Sequence, residues 1–451
     1  MRIRSPVLVG GEPRGAPPTP ACDDIMEVAM DADGNKGAFT QAFAVAEFRA
    51  LWAAVAVVRT GTQLGRVALA VLAYERTGSA AVTALVYAFT LLPSLIGGPL
   101  LGGLADRYPR QRLIIVCVLI RAVLIALVAV PAIPLPVLCA LLFASQLLEA
   151  PTSAAQMAMT PDILPREVYQ AGIAIQHLTS QILSLAGFAV GGVLVATVGT
   201  TGSLALNAAA FALAALIVFR GVRFRPAVRA RDADGRVRRN GPMTGLRLLV
   251  GDRRLRSLLA LAMLAGFYVI PEALAAPYAA ELHEGTATVG LLMAAMPVGS
   301  VLGVFLFTRF VSTPARLRLL GPLALATSLP LLASAFFPGV VASLLLWTLV
   351  GMLSAYQVTA NAEFVRITPT ERRGQVLGLA SSMLVAIQGL GIIVGGLLAT
   401  HLGVMGALAV AGAGGLVVGA PAALAWHRAR VRSEAAPTVH TAGGPLPSSS
   451  P

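Results

Sequence analysis

Residues 102–131 read GGLADRYPRQRLIIVCVLIRAVLIALVAVP, and Arg121 is the only charge after Arg112. A bilayer core about 30 Å thick takes about 20 apolar residues at 1.5 Å per residue of helix. The run from Leu113 to Pro131 is therefore one membrane crossing, entered from a basic connector. A membrane β-strand would alternate in character over about 10 residues. This run is continuous, and in lipid each backbone group must be paired within its own helix or a closed sheet. The crossing is helical.

The same alternation extends in both directions. Apolar spans fall at 48–73, 80–104, 113–131, 135–160, 169–198 and 202–220, and again at 255–281, 286–308, 316–336, 339–363, 374–400 and 403–426. The fold class predicted is an all-α membrane protein of twelve transmembrane helices. Composition agrees: 12% of residues are charged, against about 25% in soluble domains, too few to cover a water-facing surface.

The chain carries a net charge of +13, nearly all from arginine, with Lys36 the only lysine. Such basicity can mark nucleic-acid binding, but these arginines sit in connectors between apolar spans, so no nucleic-acid partner is expected. One set of connectors holds Arg107, Arg110, Arg112, Arg166, the arginine-rich stretch 220–256, Arg309, Arg316, Arg318, Arg366, Arg372, Arg373, Arg428, Arg430 and Arg432, twenty-five arginines in all. The opposite set holds only Arg76. The positive-inside rule then places both termini in the cytoplasm. Cys22, Cys117 and Cys139 form no Cys-x-x-Cys pair, so neither a metal site nor a disulfide framework is indicated.

Five regions follow: a disordered cytoplasmic tail at 1–44, a six-helix bundle at 45–220, a basic cytoplasmic linker at 221–252, a second bundle at 253–427 and a disordered tail at 428–451. The first tail lacks the apolar core of a signal peptide, and Met26 and Met30 are alternative starts. The bundles repeat. At an offset of 204 residues Pro93 matches Pro297, Pro165 matches Pro369, Glu167 matches Glu371 and Arg49 matches Arg253. Gly187, Gly191 and Gly192 match Gly391, Gly395 and Gly396. Two parallel repeats place a substrate site near the midplane between them. The paired glycines let neighbouring helices approach closely.

The loop between the second and third spans, Gly102-Gly103-Leu104-Ala105-Asp106-Arg107-Tyr108-Pro109-Arg110-Gln111-Arg112, resembles the G-x-x-x-D-R-x-x-R-R/K signature of the major facilitator superfamily. Phe48–Trp52, Thr77-Gly78-Ser79, Leu91-Leu92-Pro93 and Pro369, Glu371, Arg372 and Gly374 resemble its branch of enterobactin exporters and macrolide-efflux pumps. The resemblance implies that Gly102, Gly103, Asp106, Arg107, Arg110, Arg112 and Asp162 form a cytoplasmic latch against the start of the eleventh helix near Gly374. It also implies that helices 1, 4, 7 and 10 line a central cavity. Two departures matter. Phe188 stands where drug antiporters carry a proline, and the first helix reads Arg59-Thr60-Gly61-Thr62-Gln63 without the common acidic residue.

Ionisable groups inside spans cost about 2.5–3.5 kcal/mol to insert and mark function by default. Helical rise places Arg59 and Glu149 together near the midplane, with Glu149 the proton-titrating candidate. Arg66 and Glu272 fall at matching depth in opposite halves and are expected to form a gate pair. Arg121, in a peripheral helix, is expected to support the loop, and His177 to hold a hydrogen bond. Gln146, Gln357 and Asn361 are expected at the cavity wall. Trp52, Tyr87, Phe267, Tyr268, Tyr278 and Tyr356 read mainly as packing or interface anchors.

No G-x-x-x-x-G-K-S/T loop is present, which argues against direct ATP drive, and no cofactor is implied. The reading is a monomeric, multi-pass transporter of the bacterial inner membrane with protons as coupling ion. It exports a bulky amphipathic metabolite, siderophore or drug by rocking its halves. Uptake of a small nutrient is the alternative on the same fold, and a membrane-embedded enzyme or receptor is disfavoured because five scattered histidines form no H-E-x-x-H cluster.

Overall fold

The computed structural model describes residues 40–101, 104–225, 242–369 and 373–435. Among them, nine helical stretches are long and apolar enough to cross a membrane. The first is α1, Ala46–Thr77. It stops at Gly78, whose φ of 59° only glycine adopts readily and whose N–H bonds the Tyr74 carbonyl. Ser79 then caps α2, accepting from the Val82 N–H. α2 runs in three pieces, Ala80–Ala88, Pro93–Leu101 and Leu104–Arg107. Pro93 cannot donate to the turn before it, which accounts for the first interruption. α3 is Arg110–Val128, and α4 is Leu135–Leu147 followed by Glu149–Ile163.

The stretch Arg166–Gly221 is two crossings, α5 (166–198) and α6 (200–221), parted at Gly199 with φ 74° and ψ 175°. Reversal is evident from packing: Gly187 of α5 and Asn207 of α6 both press on α1 near Gly61–Gly65. In the second half α7 comprises Arg253–Met263, Ala265–Tyr268 and Ile270–Glu281, α8 is Thr286–Phe310, and α9 is Thr313–Ala326 with Ser328–Ala333. α10 is Val340–Leu353 with Tyr356–Ile367. Arg373–Ala435 is again double, α11 (373–402) and α12 (404–435), parted at Gly403 with φ 71° and ψ 170°. Gly199 and Gly403 are themselves 204 residues apart, so the repeat extends to a backbone conformation. Two doubled stretches and the interrupted α2 raise nine to twelve.

Three boundaries differ from the sequence expectation. Residues 40–44 form a helical turn inside the expected tail, held by Phe43, whose ring meets Phe48 at 5.9 Å and Trp52 at 5.3 Å. α12 continues past 427 to Ala435. The linker contains a helix, Pro242–Gly251, before Asp252 caps α7 by accepting from Arg254 N and Leu255 N. Residues 1–39, 226–241 and 436–451 lie outside the described residues.

Glycine sets how the halves meet. α5 packs on α1 through Gly187 and Gly191, and α11 packs on α7 through Gly391 and Gly395. Gly192 and Gly396 face the other half: a Cβ on Gly192 would stand 2.6 Å from the Gly290 Cα of α8, and one on Gly396 would overlap Ala84 of α2. Both crossings lie near the arginine-poor end, close to Gly199 and Gly403. Gly290→Val is expected to cost about 1–3 kcal/mol by overpacking. It should hold the halves apart there, leaving inserted protein of lower thermal midpoint that transports at under about a tenth of wild type.

Candidate functional site

Two polar clusters interrupt the apolar core. The first lies inside the N-terminal half. Pro151 has no N–H to offer the Leu147 carbonyl, and α4 breaks at Leu148. The break presents Glu149 to two arginines: Arg121 Nη2 is 2.6 Å from one carboxylate oxygen and Arg59 Nη1 is 3.7 Å from the other. The expected Arg59–Glu149 pairing is present, but the tighter partner is Arg121. The role expected for Arg121, support of the loop, is corrected. Its side chain is 1% exposed and stacks on the Phe211 ring of α6 at 4.6 Å. A guanidinium this far from water needs both a counter-ion and a flat partner.

The second cluster lines a cavity of about 330 Å³ between the halves, with walls from α1, α2, α5, α7, α8, α10 and α11. Arg66 of α1, Tyr87 of α2 and Glu272 of α7 meet there. The Tyr87 hydroxyl donates to Glu272 Oε2 at 3.0 Å, a hydrogen bond that crosses from one half to the other. Arg66 faces the same pair without a direct ion pair to Glu272, and its Nε is buried without a hydrogen-bond partner. The expected gate pair is therefore bridged by a phenol. Pro271, next to Glu272, follows the break of α7 at Val269. Both half-buried carboxylates thus flank proline-associated breaks.

Across the cavity floor Gln357 Nε2 donates to the Tyr268 hydroxyl, Tyr268 lies 2.9 Å from the Tyr356 hydroxyl, and Tyr356 donates to the Leu261 carbonyl at 2.8 Å. This chain fixes α10 to α7. Gln388 also lines the cavity. Gln146 is half-buried in α4 and Asn361 is exposed on α10. Neither lines this cavity or the smaller one in the N-terminal half, contrary to expectation.

At the basic end Arg110 donates to Asp162 and to the Ala158 carbonyl, tying the start of α3 to α4. Arg112 is turned away from this pair and lies over the Phe224 ring at 4.6 Å, while Arg107 is exposed. Gly102, Gly103, Glu371 and Arg372, and the side chains of Asp106 and His177, lie outside what is described. Glu363 is 4% exposed and holds Arg254 at 3.0 Å and Arg366 at 2.7 Å, joining α7 to α10.

Paired six-helix halves around a central polar cavity are a transporter's architecture. The sequence matches the Major Facilitator Superfamily over residues 51–283 and, overlapping, 257–449. The chain belongs to this superfamily. It is a membrane-embedded secondary transporter and not an enzyme. It is 25% identical over 364 residues to the "Multidrug efflux pump Tap" of Mycobacterium tuberculosis (strain ATCC 25618 / H37Rv), covering 76% of this chain and 84% of that protein. The same figures hold for the protein of that name in Mycobacterium bovis (strain BCG / Pasteur 1173P2).

Solved transporters share the fold. A mutant of the nucleoside transporter NupG superposes with a TM-score of 0.69 at 14% identity, covering 85% of this chain and 99% of that one. A bacterial homolog of the human lysosomal transporter Spinster, inward-facing and unoccupied, gives a TM-score of 0.63 at 18% identity, covering 85% and 96%. The transporter's tight turns at Gly199 and Gly403 and its glycine-lined crossings are the local means by which this sequence reaches that fold.

Proposed function

We propose that the transporter exports bulky amphipathic molecules across a bacterial inner membrane in exchange for protons, by alternating access, as a monomer with both termini in the cytoplasm. The observation that carries this reading is the Tyr87–Glu272 hydrogen bond across the central cavity. It joins the halves, it is made by a group that can take up a proton, and no described cation is in ion-pair contact with that group. Protonation removes the charge of Glu272 and its pull on Tyr87, so proton binding and the contact between halves are linked.

Glu149 is the poorer carrier, because two arginines share its charge. The cavity wall otherwise holds few charges, which suits an amphipathic rather than a small hydrophilic ligand, and the likeness to an efflux pump supports export over uptake. The orientation rests on the arginine count of the connectors. In it, the halves touch at the outer end, and the half-exposed Arg59 faces a vestibule on the cytoplasmic side. Arg110 and Asp162, already paired within the N-terminal half, belong with Asp106 to the inner latch that meets the start of α11 near Gly374 in the opposite state.

The test is accumulation of amphipathic dyes and antibiotics in a pump-deficient bacterial host, with and without a protonophore, beside Asp106→Asn. Accumulation should fall, and both the protonophore and the substitution should abolish the fall. Accumulation that rises in the expressing cells would show uptake instead.

A further inference from the structure

We propose that the cavity between α1, α4 and α5 is an anion-head site, and that the molecule carried is an amphipathic anion held there by Arg59. The proposal rests on the export reading for what is carried, but the binding it asserts stands apart from direction and drive. The cavity measures about 290 Å³ and is lined by Arg59, Ser153, Gln156, Thr160, Tyr169 and Gln176, together with apolar Val55, Met157 and Ile173. Among its lining residues Arg59 is the one charge, and no carboxylate is present.

Glu149 does not cancel that charge. One carboxylate serves two guanidiniums, and it stands 2.6 Å from buried Arg121 but 3.7 Å from Arg59. The group is left with one positive charge in excess, and the guanidinium carrying it is 42% exposed and faces the cavity. The Thr160 hydroxyl donates to the Gln156 carbonyl and accepts from Gln176. The Ser153 and Tyr169 hydroxyls and the Gln156 amide are the donors around Arg59 that suit a carboxylate or sulfonate, which accepts and cannot donate. A cationic head would meet Arg59 with no acid to hold it.

Met157, 76% exposed, and the two aliphatic neighbours offer the surface that an apolar stem needs. At about 290 Å³ the cavity lies at the bottom of the range of about 300–1,000 Å³ for ligand pockets, so a bulky ligand places only its head there. The rest of the ligand has somewhere to go: Gln63 lies one turn from Arg59 on the same face of α1, about 5–6 Å away, and lines the central cavity. In the proposed orientation an inside-negative membrane potential drives such an anion outward.

Trp52 reports on this site, because its indole N–H donates to Thr179 Oγ1 at 3.0 Å, next to the lining residue Ser180. The full-length transporter in phosphatidylcholine nanodiscs is titrated with octanesulfonate and with octyltrimethylammonium while tryptophan fluorescence is followed. Wild type and Arg59→Lys should give a saturable change with the sulfonate. Arg59→Gln should need about tenfold more or fail to saturate, and the ammonium should give no saturable change. Equal titration of Arg59→Gln and wild type would overturn the proposal, as would saturation by the ammonium at the sulfonate's concentration. Should Arg59→Gln not fold, the contrast between sulfonate and ammonium on wild type decides alone. The titration uses no proton gradient, so saturable sulfonate binding by a chain that exports nothing would keep this site and sink the export reading.

Discussion

Glu272→Gln is expected to reduce protonophore-sensitive efflux at least about tenfold, to the level of cells lacking the transporter, while leaving folded protein at wild-type yield. Glutamine matches the size of the carboxyl group and keeps an acceptor for the Tyr87 hydroxyl, now 3.0 Å from Glu272 Oε2. Packing therefore survives with a neutral acceptor facing Tyr87, as in the protonated acid, and the ability to release and rebind a proton is lost. Tyr87→Phe should lie between, since it removes the bond across the cavity but leaves the titrating group. Dye accumulation measured from pH 6 to 8 checks both. Efflux by Glu272→Gln with the pH profile of wild type would move the proton elsewhere, and Glu149 would be next.

The second large effect concerns folding. Glu149→Leu leaves Arg121, 1% exposed, without its carboxylate partner and beside a second cation, Arg59, that loses the same partner. Breaking a buried pair by removing one partner costs about 3–5 kcal/mol, whereas replacing both partners by apolar groups is often neutral. The single variant should lose most of its monodisperse peak after detergent extraction and unfold at a lower temperature. Arg121→Met combined with Glu149→Leu should recover much of the loss. Equal stability of the single variant and wild type would show that the Phe211 ring suffices for Arg121.

Much of the fold was legible in the sequence because lipid imposes a coarse rule: twenty apolar residues, then a connector whose arginines report its side. The 204-residue repeat was visible in prolines and glycines, and it holds down to the left-handed Gly199 and Gly403. Rise along a helix also gave depth, which is why Arg59 and Glu149 could be paired. Depth does not give direction around the helix axis. Arg121 points inward to Glu149, while Gln146 and Asn361 line neither of the two polar cavities described, and no periodicity distinguishes these cases in spans that are apolar on every face.

Tyr87 was missed for a different reason. An uncharged aromatic in an apolar span reads as packing, and only the position of Glu272 on another half makes its hydroxyl informative. The prolines Pro151 and Pro271 beside Glu149 and Glu272 were the available signal, since each breaks its helix next to an acid within a span. Glu363 carried less signal, since Arg254 and Arg366, which it holds from the ends of α7 and α10, read in the sequence as charges that set topology.

The central claim is exchange of a substrate for protons, and its most direct measurement is proton movement in proteoliposomes. Vesicles holding the purified transporter and a trapped pH-sensitive dye would be given a substrate drawn from the accumulation panel. Substrate entering through the transporter should drive protons out, raising the internal pH, and Glu272→Gln vesicles should show no change. Substrate movement with no pH change, or with protons moving in the same direction, would contradict the account.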